Sequence, residues 1–286
     1  MRKFLRNFWR GLTFPFRAAG SAFGRLQRFI TEEPEDTPLP DVVSKSLSNV
    51  EGIFFHLDIL RRHLLRSVIA LAITTAFSFA FTPRLIDFLA KPIGGIETLV
   101  PIEVTEPIGV FMRVALLFGF ALALPYIVFE MWLFAAPGLR PKSRIFALVA
   151  LPLVVLFFIG GMAFAYGVML PTALPFLLNF LDMRTQVRPA SYISFVSGLM
   201  FWVGAVFEFP FIIFILASLG LVRGEMLAKQ WRIAIVIIAV VAAAITPTVD
   251  PVSMSLVMGP MIILYFLSIG LAYIAQRGRA APQTAG

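Results

Sequence analysis

A chain of 286 residues has room for one or two soluble domains, but 59% hydrophobic residues, 30 Phe and only 14% charged residues, with a mean hydropathy of +0.89, leave too little polar surface to cover a globule. The chain belongs in a bilayer, and its net charge of +8 reads as topology and lipid contact rather than nucleic-acid binding. With no Cys and two His, it has no disulfide, no thiol nucleophile and no Cys-ligated metal, and neither a metal nor another cofactor is expected.

Residues 1–30 carry Arg2, Lys3, Arg6, Arg10, Arg17, Arg25 and Arg28, with Phe4, Leu5, Phe8, Trp9 and Leu12 on one helical face. The pattern predicts a basic amphipathic helix lying on the head groups of an anionic leaflet. A secretory signal needs an unbroken apolar core of about 7–15 residues, and none occurs before Ile30; an Arg-rich, acid-free organelle transit peptide is the alternative. Residues 31–50 change character. Glu32, Glu33, Glu35 and Asp36 cluster among Pro34, Pro38 and Pro40, and Ser44, Ser46 and Ser48 follow, which predicts a solvated linker.

Residues 51–276 form the membrane domain, before a cytoplasmic tail at 277–286. Six apolar spans are expected at about Leu64–Phe81, Ile108–Ala135, Phe146–Leu170, Ile193–Leu219, Ile233–Ile245 and Val252–Ile274. The fifth would cover only about 20 Å of a ~30 Å hydrocarbon core, which calls for local thinning or snorkelling by Lys229 and Arg232. Of the 24 Lys and Arg, 19 fall on the side of the amino terminus, so both termini are expected in the cytoplasm. Outside, residues 85–106 include the amphipathic piece Leu85-Ile86-Asp87-Phe88-Leu89. Residues 171–192 carry Leu174, Phe176, Leu177, Phe180 and Leu181, enough apolar surface for a cap on the bundle. The last outer connection, Thr246-Pro247-Thr248-Val249-Asp250-Pro251, predicts a tight bend.

No catalytic constellation is visible: no phosphate loop, no spaced carboxylate pair and no nucleophile–base set, so the chain is not read as an enzyme. What stands out is Glu208, alone in the apolar run 204–214. A carboxylate at that depth is either a protonated, satisfied bundle residue or a functional site. Glu130, near the inner end of the second span, is either a functional carboxylate or a side chain snorkelling toward Arg140 and Arg144. Asp58 and His56 could pair at the start of the first span. Arg61-Arg62 reads as the cytoplasmic stop of a permanent span rather than as an export signal. Arg113 is expected to reach outward to Glu103 or Glu106, and Gly160, Gly161 and Gly198 to permit close helix approach.

These residues assemble into ordered motifs: His56-Leu57 with Leu60-Arg61; Thr105-Glu106-Pro107 with Phe111 and Arg113; Pro125 with Trp132, Phe134 and Ala136-Pro137-Gly138-Leu139; Gly161 through Tyr166 and Pro171; Ser191 through Phe195; Phe207-Glu208-Phe209-Pro210; and Thr246-Pro247 with Asp250 and Ser253. From about Phe55 to Gln276 the chain resembles the TatC family, the multi-spanning subunits of the twin-arginine protein translocase. The resemblance implies an all-α polytopic fold of six transmembrane helices, both termini inside, in a cupped bundle with short helices five and six. It implies residence in a bacterial or archaeal cytoplasmic membrane and export of folded proteins driven by the protonmotive force. The implied partners are single-span proteins of the TatA and TatB type and twin-arginine signal peptides, in an oligomeric complex. Signal and partner contacts would fall on His56, Asp58, Leu60, Arg61, Pro107, Glu130, Trp132, Phe134, Pro137, Leu139 and Ser143. Glu208 would be the intramembrane polar residue on the concave side, and Thr246, Pro247 and Asp250 the outer-loop set.

The departures from the family pattern fall on acids. Ile59 stands where the family has Glu in the segment before span one, His63 where it has Arg, Ser143 where a Glu follows the Pro-Gly-Leu motif, and Phe266 where a Glu is common in span six. The first and third of these acids are the ones expected to hold two guanidinium groups bidentately. Two readings follow: Asp58, with Glu130, compensates, or the chain is a divergent paralogue that assembles with Tat partners without reading twin arginines. A proton-coupled solute transporter is the alternative from another class, but the two halves show no repeat and few midplane polar groups.

Overall fold

The structure, a computed structural model, describes residues 50–138, 141–178, 187–246 and 251–277. The expected interfacial helix, the linker up to Asn49 and the tail beyond Arg277 lie outside the described residues, as do 179–186 and 247–250. Ten α-helices make up the described chain: α1 (Val50–Ser78), α2 (Thr82–Ala90), α3 (Glu106–Ala135), α4 (Pro141–Phe164), α5 (Leu170–Leu178), α6 (Pro189–Phe207), α7 (Phe209–Leu219), α8 (Gly224–Lys229), α9 (Trp231–Ile245) and α10 (Pro251–Arg277). The fold divides into two compact units, the first from residues up to Arg62 with Met131–Val149, the second from His63–Glu130 with the chain from Ala150 onward.

The prolines of the spans govern how each is broken. The first ends at a turn through Phe79–Phe81, and Pro83 opens α2 in the first helical turn, where its missing N–H costs nothing. The two pieces meet at 76°. The third span runs on past its expected end: α4 passes through a π turn at Ala165–Met169 into α5, so Leu174, expected in a separate cap, belongs to the span. Pro171 and Pro175 cannot donate backbone hydrogen bonds there, and a π turn is one way to absorb that loss. The fourth span is interrupted at Glu208, which ends α6 and opens α7. Pro210 leaves the Val206 carbonyl without its helical donor, and the chain tightens instead through the Glu208 N–H to the Ala205 carbonyl at 3.2 Å.

Among the described residues four helical stretches are long and apolar enough to cross a membrane, the bent α1–α2 pair makes a fifth if taken as one span, and α9 is a shorter apolar helix. As expected, α9 is short: 15 residues cover about 22 Å at 1.5 Å per residue. Helix six is not. The run from Pro251 carries α10 through 27 residues with Pro260 accommodated inside it.

The second unit is centred on Leu89, Val114, Phe158, Met169, Ile193 and Val196, all at or below 2% exposure. Phe120, Phe158 and Phe201 meet in edge and tilted contacts at 5.2–6.3 Å, the geometry aromatic quadrupoles favour. Helices α4 and α6 come close at Gly161 and Gly204: a Cβ on Gly161 would lie 2.8 Å from the Gly204 Cα, and one on Gly204 would lie 2.9 Å from the Phe158 ring. Gly160 and Gly198, expected to share that role, face open space. Only about a third of each spanning window is buried, which leaves most of the apolar surface to lipid.

Candidate functional site

In the first unit, α1 begins on the cytoplasmic side and carries Asp58 half exposed. Its carboxylate accepts from Arg62, one turn on, at 2.5 Å, with side-chain exposures of 46% and 71%. Leu60 is half-buried and Arg61 exposed. In the same unit Trp132 is buried and its indole N–H donates to the Arg144 carbonyl at 3.3 Å, while the Arg144 guanidinium, 4% exposed as a residue, donates to the Ala136 carbonyl at 3.0 Å. These two bonds close the turn that follows α3. They leave Phe134 half-buried and Pro137 exposed beside it. Ser143 lies in the first turn of α4, Leu139 lies outside the described residues, and the side chains of His56 and Ser143 are not described.

Glu130 belongs to the second unit. It does not snorkel to solvent. Its side chain is 4% exposed, takes a 2.5 Å contact from His63 and a 2.7 Å hydrogen bond from the Tyr126 hydroxyl, and lies 3.8 Å from Arg66. His63 stands where the family has Arg, and this carboxylate is what that side chain meets. Pro107, grouped by resemblance with the cytoplasmic residues, is the second residue of α3, at its outer end, and exposed.

At the break between α6 and α7 both carboxylate oxygens of Glu208 are shielded from solvent and no hydrogen-bond donor reaches them. Phe207, Phe209 and Pro210 flank it in sequence, and among the described residues no side chain or backbone group partners a carboxylate that needs one.

The outer ends of the second unit are tied by side chains. Arg188, just before α6, donates through Nε to Glu106 at 2.8 Å and through a terminal nitrogen to both Glu106 and Glu103, the latter at 3.0 Å. Glu106 opens α3, where the helix dipole also favours its charge, and the two carboxylates hold the Arg188 pKa above its usual range, Glu106 most strongly. Arg188 therefore takes the place expected for Arg113, which is exposed. The Tyr192 and Tyr166 hydroxyls donate to the carbonyls of Leu89 at 2.7 Å and Phe88 at 2.6 Å, and the Val100 N–H reaches the Val187 carbonyl at 3.1 Å. Of the last outer turn, Thr246 is buried and bonds the Ala242 carbonyl at 2.9 Å; Pro247 and Asp250 lie outside the described residues.

Sequence reading alone missed Arg188, Tyr126 and Arg66. The last two sit one helical turn from a residue that it singled out, a spacing that could have flagged them. Arg188 pairs with residues 82 and 85 positions away, a separation that carries no local signal.

Residues 55–260 match the family of Sec-independent protein translocase proteins, TatC. A TatC protein of Carboxydothermus hydrogenoformans is 34% identical over 77% of this chain and 92% of its own length, and one of Deinococcus radiodurans is 35% identical over 84% and 92%. A crystal structure of the twin-arginine translocase receptor TatC superposes with a TM-score of 0.69 at 33% identity, covering 78% of this chain and all of that one. Sequence over residues 55–260 and overall fold thus agree with one family, and the chain belongs to it: it is a TatC subunit of the twin-arginine protein translocase.

Proposed function

We propose that this chain receives twin-arginine signal peptides on its first unit through Asp58, and offers Glu208 to a helix that arrives within the membrane. As a TatC subunit it is a multi-pass translocase component rather than a catalyst, and TatA- and TatB-type proteins and signal peptides are its partners. The residue-level reading rests on one observation above others: the Asp58 carboxylate is half exposed and held by an Arg that is itself 71% exposed. An ion pair so wet is worth at most about 1 kcal/mol, so an incoming guanidinium can displace Arg62 at little cost. Glu130, buried and bonded twice, is a positioning residue in this reading and not a docking acid. Residues 1–30 would lie on anionic lipid, joined to the membrane domain by the acidic linker.

Photocrosslinking a twin-arginine signal peptide to the full chain in membranes tests the assignment. The parent should crosslink, Asp58→Asn should lose about tenfold, the order of one charge-assisted hydrogen bond, and Glu130→Gln should keep most of the yield. No crosslink in the parent rejects signal reading and favours the paralogue that assembles without it, the reading to which Ile59 and Ser143 point. A crosslink indifferent to Asp58→Asn rejects the role of Asp58.

A further inference from the structure

Within the second unit, α6 and α7 on one side and α9 and α10 on the other enclose an elongated apolar cavity of about 470 Å³. Its lining runs from Gln230, at the joint of α8 and α9, along Ile233 and Ile237 to Ile245 at the outer end of α9, with Trp202 across from them. The Tyr265 hydroxyl in the wall is already bonded to the Leu227 carbonyl at 2.6 Å, so the wall offers hydrocarbon along its length and a polar side chain, Gln230, at the cytoplasmic mouth.

Two observations say what fills it. The first is the lining: aliphatic and aromatic side chains of α6, α7, α9 and α10 make an open-sided apolar groove of about 470 Å³ that follows the length of α9. One flexible hydrocarbon chain suits it, and such a chain can shorten to match a helix too short for the hydrocarbon core. The second is charge: Lys229 and Arg232 flank Gln230 in sequence and both are exposed. Neither forms a salt bridge with a described residue, and the Arg232 guanidinium lies 5.6 Å from the centre of the Trp231 ring. Glu225 is the acid nearest in sequence, one turn before Lys229, and Arg223 offsets it.

We propose that this cavity is a binding site for one acyl chain of an anionic phospholipid of the cytoplasmic leaflet, whose phosphate sits between Lys229 and Arg232. The site is independent of the signal-binding residues. It places a lipid against α7 directly beside Glu208, whose neighbour Phe209 contributes to the wall.

The test uses the full chain in phosphatidylcholine vesicles, with Trp202 as the reporter and Trp9, Trp132 and Trp231 replaced by Phe. Phosphatidylglycerol brominated on its acyl chains should quench Trp202 with about fivefold higher apparent affinity than brominated phosphatidylcholine, the order expected of one or two cations at an anionic head group. That preference should fall to parity in the double variant Lys229→Gln, Arg232→Gln and persist in the charge-keeping Lys229→Arg, Arg232→Lys. Ala234→Phe, which fills the cavity, should reduce quenching by both lipids, with helicity by circular dichroism showing that the variant is folded. Equal quenching by the two head groups in the parent, a preference untouched by the double Gln variant, or undiminished quenching in folded Ala234→Phe overturns the proposal. Quenching abolished by an equimolar single-span partner also overturns it, in favour of a protein occupant.

Discussion

The outer rim of the second unit and the break in its fourth span treat buried carboxylates in opposite ways. At the rim Glu106, 3% exposed, is met by two nitrogens of Arg188 and by the Ile102 backbone N–H. At the break Glu208 meets no donor among the described residues. The first arrangement satisfies itself and holds α3 to the loop before α6. The second leaves a cost standing that the fold alone does not explain. A buried acid with its partner in the chain contributes to stability; in the proposed function the one without a partner is offered to an arriving helix.

The largest expected effect comes from breaking the first case. Arg188→Ala should destabilise the protein by about 3 kcal/mol, because it strands Glu106 and not because a good contact is lost. Thermal unfolding in detergent measures it. Adding Glu106→Gln to Arg188→Ala should restore most of the loss by removing the stranded charge, and a double variant as unstable as the single would mean the clasp acts through packing alone.

The glycine contacts between α4 and α6 rank next. Gly161→Ala forces a methyl to 2.8 Å from backbone and should cost about 1–3 kcal/mol. Gly160→Ala, one residue along and facing open space, should fall within about 0.5 kcal/mol of the parent. Equal losses in the two would show that the close approach at Gly161 does not set the cost, since helix propensity alone favours Ala at both. A smaller effect is expected at Glu130. His63→Ala removes one of two hydrogen-bond partners and should cost about 1–2 kcal/mol, whereas His63→Arg puts a guanidinium donor on the carboxylate and should leave the melting temperature nearly unchanged.

The difference between rim and break also separates what could be read from residues and what could not. The six apolar segments and their sidedness are properties of composition along the chain, so they were legible, as was the shortness of α9. The breaks were half legible: Pro210 and Pro83 announce a disturbed helix, but whether a proline kinks a helix, as around Glu208, or is absorbed, as Pro260 is in α10, depends on packing from other helices. Glu208 could be picked out because a lone acid in an apolar run is visible in one dimension. Arg188 could not, since its sequence neighbourhood is an ordinary loop and its meaning comes from Glu103 and Glu106. Glu130 shows the same limit from the other side. Its position on the second span was plain, yet the residue that claims it, His63, looked in sequence like the mere loss of an arginine.

The smallest expected effect on stability is the one that separates the two regions most sharply. Glu208→Gln removes a carboxylate that has no partner among the described residues, so the isolated protein should melt within about 1 kcal/mol of the parent or slightly above it, the reverse of Arg188→Ala. Gln keeps the shape and an acceptor oxygen but not the charge. If Glu208 awaits a donor on an arriving helix, copurification of TatA- and TatB-type partners and export of a twin-arginine reporter should both fall in Glu208→Ala, with Glu208→Gln intermediate. A Glu208→Ala protein that still assembles and exports at parental levels returns the residue to the status of a tolerated core defect. If instead Glu208→Gln lowers the melting temperature of the isolated chain as far as Arg188→Ala does, Glu208 has an internal partner in the membrane, and the contrast between the two carboxylates collapses.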